Sequence, residues 1–422
     1  MSTADRELWN PDVQKRDSDA VNEAATRGVA QVWRRIWELP VPFYRNKLEK
    51  AGFDRDTVPP LDEIPRTRKE ELRADEERHP PFGTYRSVEL TQAVRIGSST
   101  GTTGKPMLFF YSPNDLEVHI EVARRNLWRH GLRAGNRFTH SWPQGLYPTG
   151  VSAGRQYLDL GILEIPVGPP IPREVAADHI RLWDILRPNG FQVTGSQLQT
   201  YEEAAVDASV EFPKLLEGGV LAFLEASCQF EGPRKRIESA FGVELRNIGG
   251  ASEVPGLSTS DCRYHTGLHT ASDHFVIQVC DPATGREVPP GERGTLVVTA
   301  FGIDATFIRY DLEDIVTAST THCPCGEAGA RYTLLGRGAD MVTVDGRGIL
   351  PIDIQLALEE AGAPEFQIAG RHDSSLSLKV ETEGSEAAVA GLLRERLDLP
   401  VDVAAVAPGS LPRAGFKPRR IT

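Results

Sequence analysis

The stretch SSTGTTGKP, residues 98–106, decides how the rest of the chain is read. Hydroxyl side chains and two glycines, Gly101 and Gly104, crowd the space before Lys105. QAVRI (92–96) on one side and MLFFY (107–111) on the other read as strands, so the stretch is a loop between them. Such a loop can turn backbone amides and hydroxyls toward phosphate oxygens. It is not a Walker A loop: Ser99 stands where that motif needs its first glycine, and Pro106 replaces its magnesium-binding hydroxyl. A dinucleotide fingerprint fails as well, because no G-x-G-x-x-G occurs here. An ordinary polar turn is the bland alternative, and nine consecutive residues of this kind argue against it.

The 422-residue length suggests two or three domains. With 25% charged and 40% hydrophobic residues, the composition is that of a soluble globular protein. A net charge of −12 leaves no basic surplus for nucleic-acid phosphates. The chain has no apolar run of bilayer length and no apolar segment at its start, so no membrane role and a cytoplasmic location are expected. Five cysteines in such a chain do not make a disulfide framework.

The first ninety residues read as mostly helical and charged. After the loop, Ser112 as cap, Pro113 in the first turn and Asp115 on the dipole predict a helix that stops at Gly131. Apolar strands alternate with helical stretches from about 134 to 250, which implies α/β layers. HFVIQVCD (274–281) and RGTLVVTAF (293–301) read as a β-hairpin region. From about Gly338 the pattern becomes a small α+β unit with a basic tail. The expected fold class is α/β, with a large N-terminal domain of several subdomains over 1–336 and a small α+β domain over 337–422.

Beyond the loop, four further segments follow in order: RNIGGASEV (246–254), IRYDLEDI (308–315), LLGRGADMVTVDG (334–346) and LPRAGFKPRR (411–420). Together with SSTGTTGKP they resemble the ordered motifs of the adenylate-forming superfamily. Within it the chain looks like a phenylacetate–CoA ligase, both at PFYRNKLEKAGF (42–53) with LDEIPRTRKEELR (61–73) and at RYDLEDI. The resemblance implies an AMP-forming acid–thiol ligase. Such an enzyme uses ATP and Mg2+ to make an acyl-adenylate from an aryl carboxylic acid and passes the acyl group to CoA.

The resemblance also assigns roles. Ser99, Thr100, Gly101, Thr102, Thr103, Gly104 and Lys105 would cradle the β- and γ-phosphates. Gly249, Gly250, Ala251 and Ser252 would border the nucleotide. Glu253 would hold Mg2+, Asp314 would accept from both ribose hydroxyls, and Arg337 would reinforce the nucleotide contact at the domain junction. Lys417 would neutralise the carboxylate and α-phosphate during adenylation. Trp142 and Tyr147 would wall the acid pocket over a floor of Gly250 and Ala251. The sequence departs from the pattern at Gly249, where an aromatic residue usually stacks on adenine, and at Ala339, the hinge position. Met107 replaces a lysine that often follows the loop proline.

Cys323 and Cys325 form a C-x-C pair, and CRYHTGLH (262–269) supplies Cys262, His265 and His269. Three thiols and one imidazole suit a closed tetrahedral zinc site. Some relatives in the resembled family carry a structural zinc, and the local match favours Cys262, His269, Cys323 and Cys325, with His265 as the alternative imidazole. Cys228 and Cys280 read as core residues. An external carrier protein or an amine is the alternative acceptor to CoA, and a homodimer is open. A nucleotide-binding module without catalysis is the competing reading of another class.

Overall fold

Ser112 and Asp115 open the central helix with a reciprocal cap. Ser112 Oγ accepts from Asp115 N at 3.1 Å, and Asp115 Oδ2 accepts from Ser112 N at 3.0 Å. The expected helix is there and ends at Arg129, with Gly131 at φ 89° beyond it. The computed structural model describes residues 7–99, 106–143, 145–147, 154–319, 321–362, 365–372, 374–411, 420 and 421. Two compact units divide the chain: 1–169, 188–192 and 248–333 in the first, and 170–187, 193–247 and 334–422 in the second.

The first unit starts with a short turn, α1 (Pro11–Gln14), and a long helix, α2 (Ser18–Glu38). Asp17 caps α2 by accepting from Ala20 N at 2.7 Å. Val29, Val32, Trp33 and Ile36 recur at helical spacing and are buried, each contributing about 1.5–3 kcal/mol. Gly28 lies against the ring of Phe301, so even a Cβ there would collide. Two more helices follow, α3 (Pro42–Lys50) and α4 (Lys69–Arg78). The central helix is α5 (Pro113–Arg129).

Strands β1 (Arg95–Ser98) and β2 (Leu108–Tyr111) pair antiparallel, from Arg95 with Tyr111 to Ser98 with Leu108. They are the two stems of the hydroxyl-rich loop. Next come β3 (Arg137–His140), β4 (Leu163–Pro166) and β5 (Gly190–Val193), with β3 parallel to both others. The carboxyl end of β3 leads into Trp142, at the end of the strands where open α/β sheets place ligands.

In the second unit β6 (Val220–Phe223) lies parallel to the start of β7 (Glu244–Gly250). From Ile248 onward, β7 belongs to the first unit and pairs antiparallel with β8 (Ser258–Ser260). Ser260 in turn faces His269 of β9 (Leu268–His269). The expected hairpin region is an antiparallel set of β10 (Phe275–Cys280), β11 (Arg293–Ala300) and the long bulged β12 (Phe307–Ser319). Next is β13 (Arg331–Arg337), which pairs with β9.

Residues from Val342 onward build a hydrophobic core of their own in the second unit. A hairpin of β14 (Val342–Val344) and β15 (Arg347–Ile349) precedes a sheet of β16 (Phe366–His372), β17 (Ser375–Glu381) and β18 (Val401–Val406). The helix Glu386–Leu397 is the crossover between the parallel strands β17 and β18. Buried Val389, Leu393 and Leu397 face the sheet residues Phe366, Ile368, Leu378 and Val380 in that core. The chain end returns to this sheet, where Ile368 N donates to Arg420 O at 2.7 Å.

Candidate active site and metal centre

Glu253 sits in a tight loop after β7, closed by Ala251 N donating to Leu257 O at 3.1 Å. Gly250 makes this approach feasible: its φ is 150°, and a Cβ there would strike the carbonyl of Leu257. Glu253 is buried, and its Oε1 accepts from Lys69 Nζ at 2.8 Å and from Tyr310 OH at 2.9 Å. Burial pushes this carboxyl up, but the Lys69 charge and both hydrogen bonds outweigh it, so the net shift is downward. Burial, followed by the adjacent Glu253 charge, holds the Tyr310 phenol well above its ordinary value.

Lys69 lies within LDEIPRTRKEELR (61–73), but the resemblance assigned it no role. It opens α4, where a cation opposes the helix dipole and needs an anion elsewhere. That mismatch was the signal available in RTRKEEL. Backbone pairing puts it in reach: Thr67 N donates to Arg309 O at 2.8 Å and Asp311 N to Thr67 O at 2.9 Å. The segment before α4 thus runs beside Tyr310 as a short parallel bridge.

Asp311 and Asp314 share β12 but differ in use. Asp311 is buried, accepting from Arg66 Nη1 at 2.8 Å and Thr295 Oγ1 at 3.2 Å. It is thereby committed to packing. Asp314 is only partly buried. Between them Glu313 adopts φ 62°, the left-handed region that usually falls to glycine. Arg337, the last residue of β13, is exposed.

Ser99 closes the mouth of the hydroxyl-rich loop. Its N donates to Met107 O, and its Oγ accepts from Met107 N, both at 2.9 Å. Thr100, Gly101, Thr102, Thr103, Gly104 and Lys105 lie outside the described residues, as does Lys417. The flanks of Lys417 are tied down: Leu411 N donates to Glu381 Oε1 at 2.7 Å, and Arg420 Nη1 pairs with Glu365 Oε2 at 2.6 Å.

Trp142 and Tyr147 are brought together, ring centroids 5.9 Å apart and nearly parallel. Trp142 is buried, and burial pushes the Tyr147 phenol up to about 12. Ala251 and Ser252 are half-buried. A Cβ on Gly249 would lie 3.1 Å from Leu268 and Thr259 Oγ1 and 3.4 Å from Tyr332 OH. Leu268, Thr259 and the Tyr332 hydroxyl, hydrogen-bonded to Thr259 at 2.8 Å, therefore fill the room beside that glycine. His119 of α5 accepts from Gly256 N at 3.3 Å through Nδ1, and burial lowers its pKa to about 4, so it is neutral.

The second centre forms on β9 and the C-x-C loop. Ligand atoms of Cys262, His269, Cys323 and Cys325 all lie within 4.8 Å of one another. Cys262 and Cys323 sulfurs are 3.7 Å apart, far beyond a bonded pair at about 2.05 Å. Cys325 Sγ and His269 Nε2 are 3.6 Å apart. A tetrahedral zinc with bonds of about 2.0–2.3 Å has ligand edges of roughly 3.5–3.8 Å, so the donors fit that ion. His265 is engaged elsewhere, its Nδ1 2.6 Å from Asp261 Oδ2, which leaves His269 as the imidazole of the set.

No family model matches the chain. Three likenesses define it instead. It is 27% identical, with a TM-score of 0.90, to 2-hydroxyisobutyryl-CoA ligase in the postadenylation state in complex with 2-HIB-AMP, covering 100% of this chain and 93% of that one. It is 33% identical over 373 residues to a phenylacetate-coenzyme A ligase of Thermus thermophilus, covering 85% of this chain and 80% of the relative. It is 29% identical over 426 residues to the phenylacetate-coenzyme A ligase of Escherichia coli, covering 93% of each. The fold is thus that of the adenylate-forming CoA ligases. Its sequence places it more narrowly: the chain belongs to the phenylacetate-coenzyme A ligase family.

Proposed function

We propose that this protein activates an aryl carboxylic acid, phenylacetate- or benzoate-like, with ATP, releases pyrophosphate from the acyl-adenylate step, and transfers the acyl group to the thiol of CoA. The observation that carries the reading is the buried Glu253 carboxylate, held ionised by Lys69 and Tyr310 on the chain that follows β7. Both side-chain bonds fall on Oε1, which leaves Oε2 to ligate Mg2+. Held by Glu253, Mg2+ would supply charge neutralisation for the phosphates.

Attack of a carboxylate on the α-phosphate brings two anions together, so positive charge and held geometry lower the barrier. Lys69 is one such charge, and Lys417, between tethered flanks, is the other. Asp314 is assigned to the ribose and Arg337 to the nucleotide, with residues 99–105 around the outgoing pyrophosphate. The Trp142–Tyr147 pair gives an aryl acid a flat apolar wall. Residues 337–422 are assigned as the mobile domain, and their separate core supports movement as a body. The three cysteines and His269 are assigned to a structural zinc, since four protein ligands leave no open position for substrate.

The test is acid-dependent ATP–pyrophosphate exchange over aryl and alkyl acids, with AMP release measured with and without CoA. Exchange with an aryl acid and faster release with CoA is the expected result. Exchange without a CoA effect moves the acceptor to a carrier protein or an amine. No exchange with any acid sinks the reading. Lys417→Ala is expected to lose about 100- to 1000-fold in exchange with an unchanged fold, as judged by circular dichroism.

A further inference from the structure

We infer that Glu327 is the outer carboxylate of the three-cysteine, one-histidine centre, and that the N-terminal turn Pro11–Gln14 is docked onto the centre through it. This rests on the zinc reading above. His269 turns Nε2 toward Cys325 Sγ at 3.6 Å, so its metal-facing nitrogen is defined. The other nitrogen, Nδ1, is buried and has no hydrogen-bond partner among the described residues, and Glu327 Oε2 lies 3.6 Å from it. Both side chains are buried, with exposures of 1% and 3%. A buried ring N–H without an acceptor is costly, and a shift of a few tenths of an ångström would give it one. Histidines that ligate metals commonly donate their second N–H to such a carboxylate, which fixes tautomer and ring direction.

Glu327 is itself held from two sides. Arg129 of α5 grips it with both ends of the guanidinium, Nε to Oε2 at 2.8 Å and Nη2 to Oε1 at 2.7 Å. Arg129 Nη1 is used on Asn126 Oδ1 and Ser260 Oγ, each at 2.7 Å, so the guanidinium cannot rotate without breaking four bonds. From the other side Gln14 Nε2 donates to Glu327 Oε1 at 2.9 Å, while Gln14 O accepts from Ala328 N at 2.7 Å. Asn10 N donates to Gln14 Oε1 at 2.7 Å, which fixes the amide. Trp9 adds a ring contact to Trp128 at 5.4 Å and a bond to Glu121 Oε2 at 3.0 Å. One buried carboxylate thus connects His269, the central helix and the N-terminal turn. Loss of the ion frees His269 and the C-x-C loop, and the anchorage of the turn at 327 and 328 goes with them.

The experiment uses the full chain, as wild type, Glu327→Gln and Gln14→Ala. Zinc content is measured first, then the rate of zinc release to a chromophoric chelator, then limited proteolysis before and after chelation. Wild type is expected to hold one zinc. Glu327→Gln is expected to release it about 10- to 100-fold faster. Chelation is expected to open cleavage before residue 18, and Gln14→Ala to open it with zinc still bound. Wild-type release from Glu327→Gln, or an N-terminus whose cleavage ignores chelation, overturns the inference while leaving the zinc reading intact. A wild type that takes up no zinc, even when it is supplied, overturns both. If Glu327→Gln does not fold, Gln14→Ala decides: cleavage no faster than wild type overturns the inference.

Discussion

The Glu253 site and the Cys262 centre lie on one run of chain after β7, yet they are built on opposite plans. Glu253 brings a single carboxylate and balances it with Lys69 from a distant helix. The cysteine centre brings a complete donor set at near-tetrahedral spacing, buried and closed. A single carboxylate, with Lys69 staying on Oε1, would hold a metal ion loosely enough to exchange it. The second is suited to hold one ion permanently. On the proposed reading, chemistry belongs in the first and stability in the second.

Four substitutions or titrations test this contrast. Cys325→Ser should cost about 4–5 kcal/mol of stability, as loss of a metal centre does, while ATP–pyrophosphate exchange per folded molecule stays near wild type. Urea unfolding and active-site titration separate the two. Equal loss of exchange and stability would erase the contrast. Glu253→Gln should do the reverse in activity, losing about 100- to 1000-fold in exchange, while its cost in stability, from leaving the part-buried Lys69 without its carboxylate, stays below that of Cys325→Ser.

A smaller effect concerns pH. His119 is depressed to about 4 in the fold against an ordinary 6.5. At neutral pH it is neutral in both states and contributes nothing to the balance. As pH falls through 6.5 the unfolded chain takes up a proton that the folded chain refuses. Stability therefore declines between pH 6.5 and about 4, by at most about 3 kcal/mol. Urea titrations across that range should show the slope, and His119→Gln should flatten it. Lys69→Met should lower exchange by about 10-fold or somewhat more, the value of a charge-assisted hydrogen bond. It should also move the acid limb of the pH–rate profile upward, because burial of Glu253 is then offset only by hydrogen bonds such as that from Tyr310. An unmoved acid limb would separate Lys69 from the Glu253 charge.

Much of the fold was readable. The Ser112–Asp115 cap, the alternation in HFVIQVCD and RGTLVVTAF, and the small α+β unit all rest on contacts near in sequence, whose periods and caps show in the string itself. At the metal centre, the grouping of Cys262, His269, Cys323 and Cys325 was readable from the C-x-C pair and CRYHTGLH. The reading stopped at residues whose partners are remote. Lys69 meets Glu253 across 184 positions, and Gln14 meets Glu327 across 313.

The sequence by itself determined the order of the motifs, the acid and thiol donors, and the absence of a Walker loop. Those follow from residue type and short spacing. Only the tertiary structure chose His269 over His265, tied up Asp311 with Arg66, filled the space beside Gly249 with Leu268, Thr259 and Tyr332, and supplied Glu253 with its lysine. The physical reason is common to all four. A charged or hydrogen-bonding group is defined by the partner that meets it after burial, and strand pairing and helix packing bring that partner from elsewhere in the chain.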